Sequence, residues 1–134
     1  SPLKKRLITT AEKALSLAIE KAKPGIRLGE IGKIIQKTIE AENFHIIKDL
    51  TGHGVGKNLH EDPIVLNYFD GNMGPTLREG MTLAIEPIFA ATTGNMITLD
   101  DDWTIVTDDN SPAVQVENTI LISQSGAEVL TERK

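Results

Sequence analysis

Gly52-His53-Gly54-Val55-Gly56, Leu59-His60-Glu61-Asp62-Pro63, Glu86 and Glu117 are the residues of this chain whose types and spacing could do chemistry. Two histidines seven positions apart and two isolated carboxylates far downstream are hard-to-borderline ligands. They suit first-row divalent cations better than a closed structural zinc site. The 134 residues include no cysteine, so a metal here would be held by histidine, carboxylate and water. Glu86 and Glu117 each interrupt an apolar run, Met81 to Ile88 and Val114 to Ile122. Either glutamate alone reads as a surface-facing side chain. Together with the histidines they read as a pair neutralised by a shared cation, because an unpaired ionised carboxylate is costly to bury.

Other assignments of the same residues fail. Gly56-Lys57 is followed by Asn58 rather than Ser or Thr, and the spacing back to Gly52 is one residue short of a phosphate loop. No glycine follows Gly54 at the spacing of a dinucleotide fingerprint. His60-Glu61 has no second histidine four residues on, and Pro63 would break the helix such a zinc motif needs. The remaining reading is that the glycines turn the backbone sharply and bring His53 to a metal, with His60 nearby as proton donor or electrophile. His45 lacks such a context and is expected to be exposed. Asp100-Asp101-Asp102 lacks the glycine and spaced acids of a calcium loop and reads as a solvated turn.

The elements that must position these residues follow from hydrophobic spacing. Leu7, Ala11, Ala14, Leu15, Ala18, Ile19 and Ala22 predict an amphipathic helix over 3–23, stopped by Pro24-Gly25. Ile31, Ile34, Ile35 and Ile39 predict a second helix, ending at Asn43. The period then changes, and strands are expected around 44–47, 81–88, 97–99, 103–106 and 114–122, with a loop over 67–80. Helices followed by strands give an α+β class in a single domain over 1–134. A net charge of −5 argues against a nucleic-acid groove. The basic start leads into an amphipathic stretch rather than a continuous apolar run, so a soluble, cytoplasmic chain with no nucleic-acid or membrane partner is expected.

Lys23-Pro24-Gly25, the glycine–histidine segment with His60-Glu61-Asp62-Pro63, Ala84-Ile85-Glu86-Pro87, Asp102-Trp103-Thr104 and Gln115-Val116-Glu117-Asn118-Thr119 resemble the carboxy-terminal part of type I methionine aminopeptidases. The similarity runs along essentially the whole chain. Gln115 stands where proline-specific relatives typically carry Arg, which favours the methionine branch. The 26-residue step from His60 to Glu86 leaves no room for the type II insertion. The resemblance implies half of a pita-bread fold, with two amphipathic helices packed on a mainly antiparallel sheet. It implies removal of amino-terminal methionine from nascent proteins by metal-activated water, on a pair of divalent ions (Co, Mn, Fe or Zn).

By the same resemblance His53 and Glu86 would ligate one metal and Glu117 would bridge both. His60 would contact the substrate carbonyl, Glu86 would move the nucleophile's proton, and Trp103 would wall the methionine pocket. The family's two aspartate ligands, a further histidine and most of that pocket belong to its amino-terminal half, to which no residues here correspond. The chain alone is therefore expected to be inactive, and to self-associate or to pair with that missing half. Leu59 and Asn118 depart from the family, which often has an aromatic residue at the first position and commonly has His at the second. A non-catalytic pita-bread binding or assembly module is the competing reading, and the joint presence of His53, His60, Glu86 and Glu117 speaks against it.

Overall fold

The computed structural model describes residues 1–133. The Ser1 hydroxyl accepts a hydrogen bond from the Lys4 amide at 3.3 Å, and Pro2 opens α1 (Pro2–Lys21), where a missing N–H costs nothing. The apolar stripe read from the sequence is the buried one: Leu7, Ala11, Ala14, Leu15 and Ala18. The second helix, α2 (Leu28–Glu40), buries Leu28, Ile31, Ile35 and Ile39. It starts and stops earlier than the spacing suggests, and Asn43 lies beyond its end with a left-handed φ of 59°.

Among the described residues ten short strands follow: β1 (His45–Ile46), β2 (Gly52–Gly54), β3 (Glu61–Val65), β4 (Thr82–Ile85), β5 (Ile88–Ala90), β6 (Met96–Thr98), β7 (Ile105–Thr107), β8 (Ala113–Gln115), β9 (Asn118–Ser123) and β10 (Gly126–Val129). They form a five-stranded sheet in the order β10-β9-β4-β2-β3, a three-stranded sheet β1-β5-β8 and a hairpin β6-β7. Every strand pairing is antiparallel. One apolar cluster joins the helices to both larger sheets, with Leu7, Ala14, Ile31 and Ile35 packed among Leu83, Ile85, Phe89 and Ile120. A smaller cluster of Ile47, Ile88 and Ala90, with Met96 packed against it, supports the hairpin. The fold is α+β, half of a pita-bread architecture.

Two strands expected to be continuous are broken. The 81–88 run divides into β4 and β5 with Glu86 and Pro87 in the gap, and the 114–122 run divides into β8 and β9 at Val116 and Glu117. β4 pairs with β9 in the larger sheet while β5 pairs with β8 in the smaller, so both segments cross between sheets at the same level. Pro87 has no N–H to give a ladder, which favours a break there. Ile85 faces Asn118 and Ile88 faces Gln115, so the pairing passes the gap without a slip and sets Glu86 opposite Glu117.

The glycine segment also differs from expectation. Gly52 and Gly54 do not form a sharp turn; they lie in β2, where β3 and β4 crowd in from either side. A Cβ on Gly52 would run into the Ala84 carbonyl oxygen, and one on Gly54 into that of Asp62. Absence of a side chain here serves close strand approach rather than a special φ. Gly52→Ala is therefore expected to lower unfolding stability by about 2 kcal/mol, because backbone atoms cannot give way as side chains do. Urea denaturation of the two proteins checks this, and equal midpoints would refute the packing account.

Candidate metal centre

His53, in the middle of β2, pairs with Ala84 of β4. Glu86 lies just past the end of β4, two residues beyond Ala84, and the small Ala84 opposite His53 leaves room for the imidazole to reach along to it. His53 Nε2 lies 3.2 Å from Glu86 Oε1. The His53 Nδ1 proton is donated to its neighbour's carbonyl, Gly54 O, at 2.8 Å. That bond fixes the tautomer and leaves the Nε2 lone pair aimed at a carboxylate oxygen. Two lone pairs at this distance need a proton or a cation between them.

Glu86 is only 8% exposed, and its second oxygen accepts a hydrogen bond from Gln115 Nε2 at 2.9 Å. Burial, then the facing Glu117 carboxylate, push the Glu86 carboxyl above its ordinary value, while His53 and Gln115 pull the other way and do not cancel the rise. Glu117 itself is exposed. One donor atom from each of His53, Glu86 and Glu117 can be chosen so that all lie within 4.8 Å of one another. One imidazole with a committed tautomer and two facing carboxylates, one of them buried, fit a divalent cation in both charge and donor type. They would hold it by His53 Nε2, a Glu86 oxygen and a Glu117 oxygen.

His60 lies in the link between β2 and β3, exposed, with its ring edge-on to His53 and the centroids 4.2 Å apart. The two imidazoles share the wall of an open groove with Asp49, Thr51, Glu61 and Ile64. The structure thus brings together four of the five residues that the sequence singles out. The fifth, Trp103, stands 85% exposed in the turn between β6 and β7 and does not line that groove. His45 is exposed, and Asp101 accepts the Trp103 and Thr104 amides in the solvated turn expected for the three aspartates. The Gln115 contact with Glu86 had a sequence signal in its position two residues before Glu117, on the same strand face. Asn67, which donates to the Glu86 carbonyl at 3.0 Å, had none.

The helix-over-sheet layers and the His–Glu–Glu donor set across the strand break place the molecule in the pita-bread class. Residues 1–124 match the model of metallopeptidase family M24, and the chain belongs to that family. It is 48% identical over 126 residues to a methionine aminopeptidase of Mycoplasma capricolum, covering 94% of this chain and 50% of that protein. It is 43% identical over 129 residues to the methionine aminopeptidase of Escherichia coli, covering 96% of this chain and 49% of that one. The crystal structure of a Thermotoga maritima methionine aminopeptidase superposes with a TM-score of 0.95 at 44% identity, covering 99% of this chain and 53% of that chain. The chain spans about half the length of the curated relatives it matches.

Because folding raises the proton affinity of Glu86, the fold gains stability from this group below its ordinary value of 4.5 and loses it as pH rises through the elevated folded value. Glu86→Gln removes that loss. The metal-free variant is expected to melt above the wild type at pH 7, with the gap closing as pH falls toward 4.5. Added Mn²⁺ or Co²⁺ is expected to reverse the order by stabilising the wild type alone. Calorimetric scans with and without metal check both, and a Glu86→Gln chain that melts lower throughout would refute them.

Proposed function

We propose that this chain is the carboxy-terminal half of a methionine aminopeptidase, which removes amino-terminal methionine from peptides and nascent proteins in the cytoplasm. The observation that carries the reading is the convergence of His53, Glu86 and Glu117 across an unslipped strand break. Relatives that are methionine aminopeptidases support the substrate class. Among the described residues, no helix is long and apolar enough to cross a membrane.

In this reading His53 and Glu86 would hold one divalent ion, and Glu117 would be shared with a second. Such ions supply Lewis-acid polarisation of the scissile carbonyl and lower the pKa of water. His60, exposed and beside His53, donates a hydrogen bond to the carbonyl oxygen as negative charge grows on it. Glu86 would take the proton of the attacking water and pass it to the leaving amine. Gln115 occupies Oε2 and so orients Oε1 toward the reacting side. Trp103, exposed in the hairpin turn, would help wall the methionine pocket once the other half is in place.

Two carboxylates against two dications leave excess positive charge and open coordination positions. Two aspartates from the other half of the fold complete the set, so residues 1–134 by themselves are inactive. A Met-Ala-Ser peptide with the purified chain and Mn²⁺ or Co²⁺ is expected to release no methionine. Release is expected once a separately made amino-terminal half is added, and His60→Ala in the reassembled enzyme should lower kcat by about 10²- to 10³-fold. Methionine release that survives Glu86→Ala and Glu117→Ala would overturn the assignment, as would a reassembled pair that takes metal and stays inert.

The same incompleteness bears on assembly. Leu59, Ile64 and Trp103 are 71%, 59% and 85% exposed. β3, an edge of the larger sheet, carries Glu61, Asp62 and Pro63, which blunt strand addition, so association acts through side chains rather than through the ladder. Sedimentation velocity is expected to show a dimer at high concentration that the amino-terminal half displaces. A clean monomer at every concentration would refute it.

A further inference from the structure

Asn67 follows β3 and is 1% exposed, yet nothing in the metal centre's donor set uses it. Its side-chain Nδ2 donates to the Glu86 carbonyl at 3.0 Å and approaches the Leu50 carbonyl at 3.5 Å. Exchanging the amide's N and O would aim Oδ1 at two carbonyl oxygens, so the donor orientation is fixed by its surroundings. Oδ1 is buried without a partner among the described residues.

The reason lies in the strand break. Glu86 belongs to neither β4 nor β5, and no backbone amide among the described residues reaches its carbonyl. Asn67 supplies the hydrogen bond that the ladder gives up at that point. It thereby ties the bend carrying Glu86 to the segment leaving β3 and to Leu50, just ahead of His53 on β2. The Glu86 carboxylate is held at its far end by Gln115 and faces His53, so its place depends on where its own backbone is fixed.

We propose that Asn67 is a positioning residue of the metal centre, setting the Glu86 backbone so that the carboxylate meets His53 and Glu117. This rests on the metal-binding reading of those three residues. The test compares the purified wild-type chain with Asn67→Leu, close in shape but without a donor. The control is Ile35→Val, which removes one methyl from a fully buried α2 residue and lowers stability away from the site. Co²⁺ affinity is read from the visible absorption of the bound ion. The Glu86–Gln115 contact is read by nuclear Overhauser effects between the Gln115 amide and Glu86 γ protons.

Asn67→Leu is expected to weaken Co²⁺ binding by about 10- to 100-fold, the range for lost outer-shell partners, and to erase the Overhauser contact. Ile35→Val is expected to change neither. Retention of both signals in Asn67→Leu overturns the proposal. So does an equal loss of Co²⁺ affinity in an Ile35→Val chain with the same fall in melting temperature. If the wild type itself takes no Co²⁺, the metal reading fails separately, and the Overhauser comparison alone decides whether Asn67 places Glu86. Asn67→Ala gives the same comparisons should the leucine variant not fold.

Discussion

Two carboxylates standing opposite each other at the crossing between two sheets are the constraint around which this molecule is built. Like charges directly across a strand pair repel, and one of this pair is withdrawn from solvent, where an ionised group loses its hydration. Nothing in the packing of either sheet asks for glutamate at these places; Leu83, Ile85, Ile88 and Phe89 around them are buried and apolar. The repulsion is bearable when a proton or a cation lies between the groups. The His53 tautomer, fixed by Gly54 O, brings a third donor to the same point and lets a cation serve where one proton would neutralise a single carboxylate.

The rest of the local structure supports that arrangement. Glycine at 52 lets β2 lie close to β4, glycine at 54 lets it lie close to β3, and His53 faces the small Ala84 across the β2–β4 pair. The break at Pro87 frees Glu86 from the ladder, and side-chain amides replace what the ladder would have supplied, Asn67 on the main chain and Gln115 on the carboxylate. The helices act at one remove. Leu7, Ile31, Ile35 and their neighbours cover one face of both sheets, so that the crossing cannot relax by bending toward them.

Much of this was legible in the chain. Helical spacing carried both helices to within a few residues of their ends, and residue type alone marked His53, His60, Glu86 and Glu117. The strand breaks were not read, although Pro87 is a local signal for the first, because the apolar residues resume directly after each interruption and the change of sheet is a matter of which distant segment pairs with which. The glycine segment was misread for a related cause. Glycine signals permissive backbone and close approach equally, and only the positions of the Ala84 and Asp62 carbonyls distinguish them. Asn67 was invisible because its role depends on a carbonyl 19 residues away that loses its partner only in the folded chain.

The asymmetry of exposure gives the site a direction. Glu86 is closed in by His53, Gln115 and the bend that Asn67 holds, whereas Glu117 and His60 stand open. The centre is therefore open on the Glu117 side and filled by protein on the other. His60, Leu59 and Ile64, all exposed, lie on the link and strand that border the groove beside His53. The buried carboxylate is thus shielded from solvent, and the exposed one is open to it.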